Sequence, residues 1–308
     1  MVLLTTTCKG VRSMLIQITN TCTFGCPHCL QNSTPEPQYM SGWLFRNALV
    51  FSRMAKCKFI LITGGEPTDH PDWAKYIDLA CTGDPVQCVG LVTNGKWLGT
   101  NKEDIILEKL KRYPLLYVQI TNDPRYYPDS TRKDIPAQYK RFSELCTEEL
   151  DGYHMDTAMS MIGNCHRVML ADKVEHLVTL GRAAEIKALR KVARADKKNT
   201  TSCFASALVA AQVNNNLIEL ISVLERRLKW CHPLIDWRGG MHWSESWLCP
   251  SFFTIPDHLL LDEPMFLQIQ DAACAWRPCG KCEDFKKVLE HTEPQYVQAR
   301  KILGITSH

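Results

Sequence analysis

Residues 14–30 read Met14-Leu-Ile-Gln-Ile-Thr-Asn-Thr-Cys22-Thr-Phe-Gly-Cys26-Pro-His-Cys29-Leu30, a short β-rich run that breaks into a polar loop carrying three cysteines. The apolar part has the length and composition of a buried strand. Similar runs recur at Phe59 to Thr63, Cys88 to Thr93, Leu115 to Thr121 and Ala158 to Ile162, with a sixth near His176 to Leu180. Between them, Trp43 to Met54, Trp73 to Ala80, Lys102 to Arg112 and Gln138 to Leu150 carry apolar residues at helical spacing. Strand and helix in repeated alternation predict parallel strands with right-handed crossovers, hence an α/β sheet or a barrel.

In such folds ligands bind where the strands end at their carboxyl side. Here those positions read Asn20-Thr21-Cys22, Gly64-Gly65-Glu66-Pro67, Asn94-Gly95 and Asn122-Asp123-Pro124. They concentrate groups that bind ligands or allow close backbone approach.

The 308 residues are 45% hydrophobic and 22% charged, which excludes disorder, collagen and coiled coil. A formal net charge of +3 makes no electrostatic demand for nucleic acid, an anionic membrane or an acidic partner. Met1 to Cys8 lacks the basic flank and apolar core of a secretory signal, and no apolar run approaches membrane-spanning length. A cytoplasmic location is expected, and there 15 cysteines point to metal or redox chemistry; an odd total also forbids complete pairing.

Cys22, Cys26 and Cys29 place three soft sulfur ligands on one Gly- and Pro-containing loop, a donor set suited to an iron-sulfur cluster. Three thiolates leave one metal corner open, whereas a structural zinc site needs a fourth ligand, for which His28 is available. Cys57, Cys81, Cys88 and Cys146 fall within apolar patterns and read as small buried hydrophobes.

The C-x-x-x-C-x-x-C loop after a first strand resembles the signature of the radical S-adenosylmethionine (SAM) superfamily. Gly64-Gly65-Glu66-Pro67 is similar to that family's GGE motif, and Thr93-Asn94-Gly95 to its TNG segment. The resemblance implies a partial (β/α)6 TIM-like barrel over residues 1–183. It implies that Cys22, Cys26 and Cys29 hold three irons of a [4Fe-4S] cluster whose fourth iron is chelated by SAM. Gly64, Gly65, Glu66, Thr93 and Asn94 would line the cofactor, with Glu66 accepting from the SAM ammonium group. His28 would lie beside the adenine, and Gln119 and Thr121 would meet the ribose hydroxyls. The implied activity is reductive cleavage of SAM to a 5'-deoxyadenosyl radical that abstracts a substrate hydrogen, with electrons from a reductant such as flavodoxin or ferredoxin.

Beyond residue 183 the composition changes. Residues 184–230 form a basic and helical linker, in which Lys187 to Lys198 holds six Lys or Arg residues. Residues 231–308 are rich in Trp, Pro, Gly and Cys, and read as a small irregular cysteine-rich domain. Cys231 and Cys249 bracket a hairpin turn at Trp237-Arg238-Gly239-Gly240, and Cys279-Gly-Lys-Cys282 forms a hook before a helix. These four thiols, with Cys274 as an alternate, resemble the twitch and SPASM extensions of radical SAM proteins, which implies a second, auxiliary [4Fe-4S] cluster. A four-cysteine zinc site explains the same residues.

A fully ligated auxiliary cluster favours oxidative modification of a peptide or protein side chain or of a small molecule. Epimerisation would need a hydrogen donor, for which Cys165 is placed, and a nucleoside or nucleic acid is a further substrate class. A zinc or iron-sulfur binding module without catalysis is the reading from another class.

Overall fold

A computed structural model describes residues 13–27, 29, 31–83, 88–121, 135–150, 168–171, 233–242, 251–275 and 294–302. In chain order the elements are β1 (Ser13–Thr19), α1 (Gly42–Met54), β2 (Phe59–Gly64), α2 (Trp73–Gly83), β3 (Cys88–Thr93), α3 (Asn101–Arg112), β4 (Leu116–Thr121), α4 (Ile135–Leu150), β5 (Val168–Ala171), β6 (Leu234–Ile235), β7 (Gly240–His242), β8 (Ser251–Thr254), α5 (Glu263–Ala275) and α6 (Pro294–Ile302). A single 3-10 turn, Pro67–Asp69, follows β2.

The strands form one sheet in the order β5-β4-β3-β2-β1-β6-β7-β8. From β5 through β6 every pairing is parallel, and β7 and β8 add antiparallel. The first four strands and four helices fall where the sequence periodicity puts them, to within a few residues at each end. Strand β5 lies at Val168–Ala171; the runs expected at 158–162 and 176–180 are outside the described residues. The sixth parallel strand, β6, lies against β1 and not beyond β5.

Ile16, Ile18, Ile60, Ile62, Val89, Leu91, Val118 and Ile120 are fully buried and alternate along β1 to β4 onto one face. That face meets Leu44, Phe45 and Phe51 of α1, Tyr76 and Ile77 of α2, Leu110 of α3 and Phe142 of α4 in one core. The opposite face carries Leu15 and Gln17 of β1, Leu61 and Thr63 of β2, Gly90 and Val92 of β3, and Tyr117 and Gln119 of β4, as the registers require. Gly90 makes room for the Tyr117 ring, which a Cβ there would meet at 2.4 Å.

Local chemistry fixes the helix ends. Ser41 caps α1 by accepting the Leu44 N–H at 3.1 Å. Thr100 caps α3, which carries Glu103 and Asp104 in its first turn and Lys109, Lys111 and Arg112 in its last, matching the helix dipole. Glu103 also receives Arg141 of α4 at 2.5 and 2.6 Å, joining the two helices.

The turn between β6 and β7 is built on Asp236. Its Oδ1 accepts the N–H groups of Arg238 at 2.8 Å and Gly240 at 2.9 Å, and its Oδ2 lies 3.0 Å from both the Arg238 guanidinium and His242 Nε2. Burial pushes this carboxyl up, but the His242 and Arg238 hydrogen bonds outweigh it and hold the group below its ordinary value. The segment after β8 is tied to α1 by Asn47. Its amide donates to the carbonyls of Pro256 at 3.2 Å and Leu259 at 2.7 Å, and its carbonyl accepts the Leu261 N–H at 2.9 Å. No described helix is long and apolar enough to cross a membrane.

Candidate functional site: a cysteine loop clasped by two strand ends

The loop bearing Cys22, Cys26 and Cys29 leaves β1 at Thr19 and is held from both sides. Residues 33–40 return beside it, with Cys22 N–H bonded to Thr34 O at 2.7 Å, Asn20 N–H to Gln38 O at 3.0 Å and Met40 N–H to Ile18 O at 2.8 Å. Asn20 is nearly buried and works as a clamp. Its Oδ1 accepts from Ser33 Oγ at 3.0 Å and Gln17 Nε2 at 3.3 Å, and its Nδ2 donates to Gln38 Oε1 at 3.0 Å. Within the loop, Gly25 takes φ +62°, a conformation that disfavours other residues.

On the other side stands the end of β2. Gly65 N–H bonds Thr19 O at 2.8 Å and Glu66 N–H bonds Thr21 O at 2.9 Å, so strand pairing continues up to the cysteine loop. Both glycines are required by that contact. A Cβ on Gly64 would meet Thr19 O at 2.8 Å, and one on Gly65 would meet Thr21 O at 2.4 Å. The close approach that the Gly-Gly pair predicts is therefore, in the first instance, an approach to the chain's own backbone.

Glu66 then joins the ends of β2 and β3. Its carboxylate is fully buried. Oε1 accepts from Thr68 N–H at 3.1 Å, Thr68 Oγ1 at 2.7 Å and Thr93 Oγ1 at 2.7 Å, and Oε2 accepts the Asn94 N–H at 2.7 Å. Burial pushes the carboxyl up, and these four hydrogen bonds pull against it. Thr93 Oγ1 accepts in turn from Trp97 Nε1 at 3.0 Å. Thr121, at the end of β4, donates to Thr93 O at 3.1 Å, and Gln119 is half-buried on the face opposite the helices.

The cysteine sulfurs meet backbone donors: Phe24 N–H reaches Cys22 Sγ at 3.5 Å and Ser33 N–H reaches Cys29 Sγ at 3.4 Å. Cys22 is 8% exposed, and burial pushes its thiol up to about 12, with Phe24 N–H acting in the opposite direction. A thiol this reluctant to ionise alone becomes a thiolate when a metal cation compensates the charge. Among the described residues no three His, Cys, Asp or Glu side chains are placed to hold a single ion. The fit of these cysteines to a cluster rests on the donor set and on the N–H groups at two of its sulfurs.

The structure thus brings Cys22, Cys26, Cys29, Gly64, Gly65, Glu66, Thr93, Asn94, Gln119 and Thr121 to the carboxyl ends of four adjacent parallel strands. His28, Cys165, Cys231, Cys249, Cys279 and Cys282 lie outside the described residues, and Cys274 falls in α5 with its side chain outside them. Cys57 and Cys146 are buried in the apolar core as expected, Cys81 packs partly against it, and Cys88 is buried in β3. The sequence places Asn20 at a strand end but does not show its clamping role, and it gives no role to Thr68 or Gln38. Glu66-Pro67-Thr68-Asp69 carried a signal, because an acidic residue before Pro marks a cap with Pro at the first helical position.

Residues 16–165 match the family profile described as the Radical SAM superfamily. Two curated relatives are GTP 3',8-cyclases: one from Psychromonas ingrahamii, 32% identical over 91 residues, and one from Shewanella denitrificans, 30% identical over 124 residues. The matches take in 29% and 36% of this chain, and the chain spans only 27% and 36% of those relatives' own length. Among solved structures, Streptococcus suis SuiB bound to precursor peptide SuiA superimposes with a TM-score of 0.53 at 15% identity, covering 94% of this chain and 75% of SuiB. At that identity the likeness is one of fold. The match to the Radical SAM superfamily profile takes in the strands and loops that build the clasped cysteine site.

Proposed function

We propose that this chain is a radical SAM enzyme that modifies a peptide or protein side chain or a small molecule oxidatively, beginning with removal of a substrate hydrogen atom. The observation that carries the reading is the clasp: one buried carboxylate, Glu66, ties the GGE and TNG segments together beside the three-cysteine loop. When bound, the [4Fe-4S] cluster and SAM supply an electron and a 5'-deoxyadenosyl radical.

Cys22, Cys26 and Cys29 hold the cluster in this reading. Gly64 and Gly65 present backbone at the mouth toward the SAM ammonium group, and Glu66, turned inward on Thr68, Thr93 and Asn94, holds the strand ends that carry that backbone. Thr93 and Asn94 would wall the cofactor on the β3 side, His28 would serve the adenine, and Gln119 and Thr121 would serve the ribose hydroxyls. A flavodoxin or ferredoxin is the reductant. Residues 184–230 link the barrel to an auxiliary domain at 231–308, where Cys231, Cys249, Cys279 and Cys282, or Cys274 in place of one of them, hold a second cluster. A cluster held there would supply an acceptor for the electron that a deprotonated substrate radical must lose.

A nucleotide substrate is the second reading, favoured by the curated relatives that are GTP cyclases by name; an epimerisation with Cys165 as hydrogen donor would leave substrate oxidation state unchanged. Anaerobic reconstitution with iron and sulfide, followed by SAM and dithionite, tests the class. Production of 5'-deoxyadenosine that disappears in Cys22→Ala is expected, and equal production in both overturns the reading. Iron near eight per chain supports two cubanes and about four supports one, whereas zinc without iron supports the binding-module alternative.

A further inference from the structure

Cys22 sulfur is reached from two elements that are far apart in sequence. Phe24 N–H comes from its own loop at 3.5 Å, and the side-chain amide of Asn94 comes from the end of β3, with Nδ2 at 3.8 Å from Sγ. Asn94 is held for that contact by two hydrogen bonds and by burial. Its backbone N–H is fixed on Glu66 Oε2 at 2.7 Å, its Oδ1 accepts the Lys96 N–H at 2.8 Å, and its side chain is 9% exposed. The Lys96 bond decides the orientation of the amide, because it requires the oxygen to face Lys96 and so turns the nitrogen to the sulfur. Glu66 is itself fixed by Thr68 and Thr93, and Thr93 by Trp97. The chain of contacts from Trp97 to Cys22 is continuous.

We propose that Asn94 is a positioning residue that sets the reduction potential of the cluster held by Cys22, through an N–H···S hydrogen bond from its side-chain amide to Cys22 Sγ. This rests on the reading of Cys22, Cys26 and Cys29 as cluster ligands. A donor at a ligand sulfur stabilises negative charge there, and stabilises it more in the reduced cluster than in the oxidised one, so it raises the potential. The effect is large where water is excluded, as it is around Cys22 and Asn94. Glu66 carries the same influence at one remove, since it fixes the backbone from which the amide projects.

The test is a redox titration of the anaerobically reconstituted full chain, followed by the electron paramagnetic resonance signal of the reduced cluster, for wild type, Asn94→Leu and Asn94→Ala. Both variants keep the Asn94 backbone N–H on Glu66, so the clasp stays closed, and thermal unfolding of the iron-free proteins checks it. A potential more negative than wild type is expected in Asn94→Leu. A smaller shift in the same direction is expected in Asn94→Ala, where a water molecule can enter and donate in place of the amide. An unchanged potential in Asn94→Leu overturns the inference. So does loss of the cluster from both variants while the iron-free proteins unfold as wild type does, because that would make Asn94 a requirement for assembly and not a regulator of potential. If the wild-type chain takes up no iron-sulfur cluster at all, the underlying cluster reading fails, visibly and before any variant is compared.

Discussion

Replacing Gly65 by alanine tests the packing of the site without touching a ligand. The added methyl would lie 2.4 Å from Thr21 O, 2.7 Å from Thr21 C and 2.9 Å from Asn20 C. All three are backbone atoms, so no rotamer change relieves the clash. The segment that must move is pinned by Asn20 N–H on Gln38 O, Thr34 N–H on Asn20 O and Glu66 N–H on Thr21 O. Overpacking of this kind destabilises by about 1–3 kcal/mol. The displaced Gly65–Thr19 and Glu66–Thr21 bonds add about 1 kcal/mol each, giving roughly 3–5 kcal/mol. At about 2–4 °C per kcal/mol, the melting temperature of the iron-free protein should fall by roughly 6–20 °C. Two neighbours calibrate the result. Gly64→Ala meets one methyl, Thr19 Cγ2, and one carbonyl, each at 2.8 Å, and should lose about 1–3 kcal/mol. Gly25→Ala meets nothing within 4 Å and bears only the strain of φ +62°, about 1 kcal/mol. Circular dichroism melts under anaerobic, reducing conditions should rank the losses Gly65, Gly64, Gly25. A Gly65→Ala protein that melts with wild type, or above Gly25→Ala, refutes the packing argument.

Further expectations follow from the polar clamps. Asp236→Ala strands the N–H groups of Arg238 and Gly240, so chemical denaturation should show a loss of about 3–5 kcal/mol. Because the folded Asp236 carboxyl is held below its ordinary value of 3.8, its stabilisation is present above that pH and lost as pH falls through the folded value; Asp236→Asn should flatten that acid limb of the stability profile. Asn47→Leu removes partners from Pro256 O, Leu259 O and Leu261 N–H, and limited proteolysis should cut within 256–261 several-fold faster while cleavage elsewhere stays unchanged.

The first half of the fold is legible because the strands are short β-rich runs with one face fully buried, and the helices between them keep a clean period. Cys88 to Thr93 is matched residue for residue. Strand β5 was not legible, since Val-Met-Leu-Ala at 168–171 is no more β-like than Ala-Met-Ser-Met-Ile at 158–162, and periodicity cannot choose between short apolar runs. Strand β6 is two residues long, too short for any pattern, and its place beside β1 is a tertiary fact. At the site, the motifs themselves are legible in the string. Their division of labour is not, because a GGE sequence does not reveal that Gly65 packs on Thr21 or that Glu66 faces inward onto Thr68, Thr93 and Asn94. Those are contacts between strand ends, and a linear string carries no trace of them.

The pairing of β6 with β1 also sets a schedule for synthesis. Leu15 is the register partner of Leu234, more than two hundred positions downstream, whereas Phe59 reaches Ser13 after fewer than fifty. At ribosomal speeds of about 5–20 residues per second, one side of β1 waits roughly 9–35 s longer than the other for its neighbour. Throughout that interval the strand that carries the cysteine loop presents an apolar, unpaired edge, the form of exposed backbone most open to joining another chain. The vulnerable moment of this protein therefore falls during translation, and slow elongation between β5 and β6 should lower its yield more than slow elongation anywhere upstream of β2.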